Sequence, residues 1–247
     1  MTGADRTRLA PFPEDDWSSG LAVVAHPDDI EFGGAGAVAR WTAQGKRITY
    51  LLASRGEAGI NGLEPEACAE IRMAEQFDSA AEVGVGSVEF LAYRDGLIEY
   101  GLPLRRDIAE VIRRYRPEMI FVVNHRERYS HGMLNMADHR AVGQAAIDAV
   151  RDAANPWLFP EIGQTRARTW DGVRHLAVLG SSLATHAVDI TDTFDAGLRS
   201  LQHHAVYLKA LGPEWPAPEI LLRERATAVA ERFGGRLGVA FEMLRSI

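Results

Sequence analysis

Four short apolar runs, "GLAVVA" from Gly20, "RITYLLA" from Arg47, "VEFLA" from Val88 and "MIFVVN" from Met119, stand out against polar and turn-forming neighbours. Runs of this length and bounding predict strands buried on both faces. Between them the period changes. In "LPLRRDIAEVIRRYRP" the residues Leu104, Ile108, Val111, Ile112 and Tyr115 share one helical face and Pro117 closes the segment. A second helix is predicted from Glu66 to Val83, with Cys68, Ile71, Ala74 and Phe77 marking its pattern. Strand followed by helix, repeated, predicts crossover connections and an α/β fold with a mostly parallel sheet flanked by helices on both faces. After about Asn155 the order loosens. "HLAVLG" and "THAVDIT" read as further strands, Thr193 to Leu211 as one helix, and "LGPEWPAP" as a loop into a terminal helix. Neither half carries a pattern of its own, so residues 1–247 read as a single domain. About residues 1–17 form an extended N-terminal segment, and the C-terminal part forms a cap on the same sheet.

Composition narrows the function classes. The chain has 247 residues, 47% of them hydrophobic and 25% charged, which is enough to bury a sizeable core. Its formal net charge is −7 and its basic residues are scattered, which argues against a nucleic-acid partner. No segment is apolar over the length needed to span a bilayer, and the N-terminus lacks the apolar stretch of a signal peptide, so no membrane partner is expected. A single cysteine, Cys68, rules out a disulfide within the chain. It points to a reducing compartment, with a cytoplasmic location and a buried structural thiol expected.

In a parallel sheet, ligand sites form beyond the carboxyl ends of the strands. Three polar segments fall there: "HPDDIE", "SRGEAGING" and "NHRERYSHGMLNMADHRAVG". His26 offers an imidazole nitrogen, and Asp28 and Asp29 offer carboxylates on either side of an extended turn. One aspartate can then hold a metal while its neighbour faces a water. His139 supplies a third ligand at a predicted helix start, with Asp138 read as the N-cap. Two histidines and one carboxylate with an open position form a zinc hydrolase pattern, in which Asp28 is placed to act as general base. The run "GAGAVA" from Gly34 fits a dinucleotide fingerprint, but it stands too far from the preceding strand, so its glycines are assigned to close helix packing.

Taken together, "AHPDDIE", "SRGEAG", "EIRMAE", "YRDG", "DHRAVG" and "VDITDTFDAGLRSLQHH" resemble the PIG-L/LmbE family of zinc-dependent N-deacetylases. The resemblance implies a Rossmann-like α/β fold, one Zn2+ per chain, and removal of an N-acetyl or related N-acyl group from a small-molecule amino sugar or glycoconjugate. Homo-oligomerisation is left open. By the matching positions His26, Asp29 and His139 hold zinc and Asp28 is the base. Arg72 and Asp95 fall where the family's motifs contribute to the substrate pocket, and Arg55 and Glu57 on the second loop are expected near sugar hydroxyls. The departure is Met136, where many members have a histidine that stabilises the tetrahedral intermediate or protonates the leaving amine; methionine can do neither. The loop offers substitutes in His125, Arg126, Tyr129 and His131, with His125 and His131 expected to act catalytically and Arg126 and Tyr129 to bind substrate. His204 is an outside candidate. Two rival readings are cleavage of a larger amide, as in a thiol-sugar conjugate, and a non-catalytic binder of metal or sugar.

Overall fold

Alternate residues of the first long apolar run enter two different cores: Ala22 and Val24 one, Leu21, Val23 and Ala25 the other. A strand that buries both faces belongs inside a sheet covered by helices on both sides. The structure is a computed structural model and describes residues 8–129, 132–163 and 168–244. The elements follow as β1 (Ala10–Pro11), β2 (Ser19–Val24), α1 (Ala35–Ala43), β3 (Arg47–Leu52), α2 (Pro65–Glu82), β4 (Ser87–Phe90), α3 (Leu102–Tyr115) and β5 (Met119–Val123). Then come α4 (Ala137–Ala154), α5 (Pro160–Gly163), β6 (His175–Leu179), β7 (His186–Asp189), α6 (Phe194–Gln202), α7 (Ala205–Ala210), α8 (Pro218–Ala230) and β8 (Gly238–Leu244).

The described strands form one sheet in the order β1-β7-β8-β6-β5-β2-β3-β4. Pairing is parallel except along β8, which runs antiparallel to both β6 and β7. Chain direction across the sheet positions the site. β2, β3 and β4 step outward in sequence, and the chain then returns so that β5 pairs with the other side of β2. Loops leaving β2 and β5 therefore diverge, and the crevice between them is where an open α/β sheet binds its ligand.

Helices α1, α6 and α8 and the end of α2 cover one face, and α3 and α4 cover the other. Trp41 of α1 is wholly buried, with Phe12, Trp17, Phe121 and Phe241 at ring separations of 5.3, 5.4, 5.9 and 5.8 Å. Truncating such a side chain to alanine typically costs about 3–5 kcal/mol. The "GAGAVA" glycines serve packing: a Cβ on Gly197 of α6 would lie 2.7 Å from the Gly36 nitrogen, so the two helices touch backbone to backbone.

Two expectations for the C-terminal part change. The helix predicted over Thr193 to Leu211 is interrupted at His203 and His204, because the His204 side chain is drawn completely into the interior beside Glu31. After α8 the chain turns at Gly234 and Gly235, both with positive φ, and adds β8, which the sequence pattern did not predict. The cap is thus partly an extension of the sheet itself. Among the described residues, no helix is long and apolar enough to cross a membrane.

Candidate active site

The loop after β2 builds half of a donor cluster. Asp29 folds back on its own turn, its Oδ2 accepting the backbone N–H groups of Ala25 and His26 at 2.9 Å each, which leaves Oδ1 facing outward. His139, in the first turn of α4, points Nε2 at that oxygen from 2.9 Å, and this buried nitrogen has no hydrogen-bond partner among the described residues. His26 Nδ1 lies 3.8 Å from Asp29 Oδ2. His26, Asp29 and His139 each offer one ligand atom within 4.8 Å of the others, an arrangement that can hold a metal ion.

Outer hydrogen bonds set which ring nitrogens are available. His26 Nε2 lies 3.0 Å from both Asp95 Oδ1 and Asp138 Oδ2. Carboxylate oxygens accept, so Nε2 keeps its proton whether the ring is charged or neutral, and Nδ1 is the nitrogen that can give up its proton to a metal. His139 Nδ1 is 3.1 Å from Asn135 Oδ1 and 2.9 Å from the Tyr129 hydroxyl. Asn135 is itself fixed, its Nδ2 donating to the Asn124 and Arg126 carbonyls and its Oδ1 accepting the Met136 N–H. The N-cap of α4 is Met136, not the expected Asp138. Asp138 turns instead to the segment after β4, accepting N–H bonds from Gly96 at 2.7 Å and Ile98 at 3.1 Å as well as facing His26. Those donors, brought by tertiary contact, outcompete a local cap.

Asp28 is buried and adopts φ +84°. Its Oδ2 accepts from Arg72 Nη2 at 2.8 Å and its backbone N–H donates to Gln76 Oε1 at 3.0 Å. Burial raises its carboxyl to about 6, with Asp29 pushing the same way against the Arg72 charge. For Asp29, burial is outweighed by His139 and His26, and its pKa is held below the usual carboxylate range. His26 is the converse: burial favours the neutral ring, but hydrogen bonds to Asp138, Asp29 and Asp95 hold its pKa well above the ordinary value.

Helix α2 corrects the sequence pattern. Its buried face runs through Cys68, Arg72, Gln76 and Ser79, while Phe77 of the expected apolar face is 47% exposed. From Cys68 to Gln76 the helix covers polar loop backbone, and only its end, at Ala80, reaches the hydrophobic face of the sheet. Arg72 donates to the carbonyls of Pro27 and Gly56, and the loop after β3 wraps its guanidinium so closely that a Cβ on Gly56 or Gly59 would lie 2.5 or 2.3 Å from Nη1. Tyr207 of α7 lies over the same guanidinium, its ring centroid 4.0 Å from Cζ, with its hydroxyl toward Asp28. Arg72 thus holds the Asp28 carboxylate and is almost closed to solvent. Cys68 is buried, as expected of a structural thiol, with Sγ 3.4 Å from the Gly56 carbonyl.

The remaining candidates are more dispersed. Asp95 and Glu57 lock their loops together, Asp95 Oδ2 accepting from Ala58 N and Glu57 Oε1 accepting from Asp95 N, each at 2.9 Å. Arg55 is paired with Glu66 on the surface. Arg126 forks onto Glu242 of β8, because that buried carboxylate requires a cationic partner. His125 is half-buried, its Nδ1 lacks a partner among the described residues, and burial followed by the Arg126 charge lowers its pKa. His131 lies outside the described residues. Met136 is 50% exposed. His204 stands behind the loop, 3.7 Å from Glu31. The sequence reading missed Asn135, Gln76 and Tyr207, along with the orienting role of Asp138. Only the position of Asp138 beside His139 gave any signal.

The family profile described as PIG-L, GlcNAc-PI de-N-acetylase, matches residues 21–150, which include His26, Asp28, Asp29, Arg72, Asp95, Asp138 and His139. Diacetylchitobiose deacetylase from Thermococcus kodakarensis is 27% identical over 194 residues, covering 78% of this chain and 71% of that protein. The 1D-myo-inositol 2-acetamido-2-deoxy-alpha-D-glucopyranoside deacetylase of Kineococcus radiotolerans is 28% identical, covering 75% and 67%. The solved structure of N,N'-diacetylchitobiose deacetylase from Pyrococcus horikoshii superposes with a TM-score of 0.84 at 25% identity, over 93% of this chain and 85% of that one. With the profile spanning more than half of its length and this fold beneath it, the chain belongs to the PIG-L family.

Proposed function

We propose that this protein is a zinc-dependent hydrolase that removes the N-acetyl group of an amino sugar or amino-sugar conjugate. The observation that carries the reading is the convergence of His26, Asp29 and His139, with the buried carboxyl of Asp28 next in sequence to a ligand. Family membership and relatives named as deacetylases of acetylated amino sugars support it. The donor set fits zinc, since two imidazoles and one carboxylate are among its catalytic ligand sets. The second convergent set, His26 with Asp95 and Asp138, fits less well because backbone N–H groups already occupy both Asp138 oxygens. A lone buried thiol suits the reducing cytoplasm.

Bound zinc supplies a Lewis acid that acidifies water and polarises a carbonyl. The protein's own groups supply the rest. Asp28, buried and next in sequence to the ligand Asp29, takes a proton from the attacking water and can return it to the departing amine, as a general base does. Arg72 keeps its carboxylate aimed. His26 and His139 are held in the required tautomers by Asp138 with Asp95 and by Asn135. Tyr129 and the neutral ring of His125 offer donors on the loop where Met136 offers none.

The test is zinc content and amine release from N-acetylglucosamine, its disaccharide and an inositol conjugate, for wild type, Asp29→Ala and Asp28→Asn. About one zinc per chain in wild type, lost in Asp29→Ala, with turnover lost in Asp28→Asn while zinc stays, is expected. Wild-type protein without zinc, or Asp28→Asn at full turnover, contradicts the reading.

A further inference from the structure

Asp28 is one of three non-glycine residues with positive φ among those described, and the only one within the donor loop. Aspartate tolerates that region better than most residues, yet a side chain there still carries strain that the surroundings must hold. What holds it is a chain of buried hydrogen bonds. The Asp28 N–H donates to Gln76 Oε1 at 3.0 Å, and Gln76 Nε2 donates to Glu31 Oε1 at 2.9 Å. The Ser79 hydroxyl donates to the same Glu31 oxygen at 2.9 Å and lies 2.8 Å from the Ser200 hydroxyl of α6. Glu31, Gln76, Ser79 and Ser200 are each no more than 1% exposed, so water cannot replace any of these bonds.

From this we infer that Gln76 is a positioning residue for catalysis, clamping the backbone of Asp28 in its strained conformation so that the carboxylate faces the reacting centre. The inference rests on the reading of Asp28 as general base. Gln76 suits the task because the amide's two ends are both committed: the nitrogen to a carboxylate that only accepts, the oxygen to a backbone that only donates. Its orientation is thereby determined. One turn earlier on the same face of α2, Arg72 takes the Pro27 carbonyl and the Asp28 carboxylate, so a single helix grips the Pro27–Asp28 peptide at both its oxygen and its N–H, and the Asp28 side chain as well. The ligand Asp29 is secured separately by the N–H groups of Ala25 and His26. Loss of Gln76 therefore releases the Asp28 N–H and loosens the backbone of the base, which Arg72 then holds alone, without freeing the metal ligand.

The experiment compares Gln76→Met, which keeps length and volume but neither hydrogen bond, with wild type and Asp28→Asn in the zinc-loaded enzyme. Gln76→Met is expected to lower kcat about 10- to 100-fold, with KM changed by less than about threefold and zinc retained. Gln76→Glu sets two carboxylates against each other and is expected to be at least as impaired. Adding Glu31→Gln to it restores the amide–carboxylate bond with its polarity reversed and should recover most of kcat. This pair also provides the test if Gln76→Met fails to fold. Wild-type kcat in Gln76→Met, loss of zinc together with kcat, or a double variant no better than Gln76→Glu would each overturn the inference. Full turnover in Asp28→Asn would instead overturn the base assignment beneath it. Loss in Asp28→Asn with wild-type kcat in Gln76→Met leaves the base standing and removes only Gln76.

Discussion

Because His26 Nε2 has two carboxylates at the same distance of 3.0 Å, its tautomer should survive the loss of either one and fail with both. Asp138→Asn places an amide where a carboxylate accepted two backbone bonds. Orphaning the buried Ile98 N–H costs about 1–3 kcal/mol, while the exposed Gly96 N–H can be rehydrated, so the amide oxygen stays on Ile98 and the NH2 group turns to His26. While Asp95 remains, it accepts the Nε2 proton and Nδ1 stays free for metal. With Asp95→Asn added, donors or neutral acceptors surround Nε2, and the ring gains by moving its proton to Nδ1, the nitrogen that faces Asp29. Removing an outer partner of a metal-binding histidine typically costs 10- to 100-fold in affinity, about 1.4–2.7 kcal/mol. Each single variant should therefore lose only a few-fold in zinc affinity and the double about 100-fold, well beyond the product of the singles. Chelator competition measures the affinities, and imidazole nitrogen NMR reads the tautomer. A double variant that binds zinc within threefold of wild type, or losses that simply multiply, would refute the reasoning.

Gly143 lies one helical turn beyond His139, and a Cβ there would sit 2.5 Å from the Val123 carbonyl and 2.9 Å from His125 Cβ. Gly143→Ala should cost about 1–3 kcal/mol by overpacking, offset by about 1 kcal/mol of helix propensity, and should weaken zinc binding as α4 shifts; unchanged zinc affinity would mean that α4 can yield without moving His139. In the metal-free protein the raised pKa of Asp28 makes its stability contribution fully present below the ordinary carboxyl value near 3.8 and lost as pH rises through about 6. Denaturation from pH 4 to 7 should therefore show wild type losing up to ~3 kcal/mol relative to Asp28→Asn, and parallel curves would contradict that burial effect. Tyr129→Phe should lower kcat about tenfold or more if its hydroxyl serves the carbonyl oxygen, whereas His125→Ala should do so if that role falls to the imidazole; steady-state kinetics of the two variants decides between them.

Adjacency and periodicity made part of this protein legible from sequence. "HPDD" after an apolar run located the donor loop because neighbouring residues on one turn need no fold to bring them together, and His139 followed from its place at a helix start. Arg126 was legible as a charged loop residue, but its commitment to Glu242 depended on β8, a strand without a predictive pattern of its own. Helix α2 misled because amphipathic reasoning assumes that the buried face is apolar, whereas this helix is buried against loop backbone and meets it with Arg72 and Gln76.

By itself, the sequence determined the α/β class, the strands β2 to β5, and the loop on which His26, Asp28 and Asp29 stand together. These depend on short-range periodicity and on the identity of neighbouring side chains. Tertiary structure alone decided which nitrogen of each histidine faces the cluster, which partners fill Asp138, Arg72 and Arg126, and how Asp28 is held at positive φ. The partners come from residues 40 or more positions away in most of these cases, and burial makes every unsatisfied donor and acceptor costly. Which distant group satisfies each one is settled only when the sheet and its covering helices close around the loop.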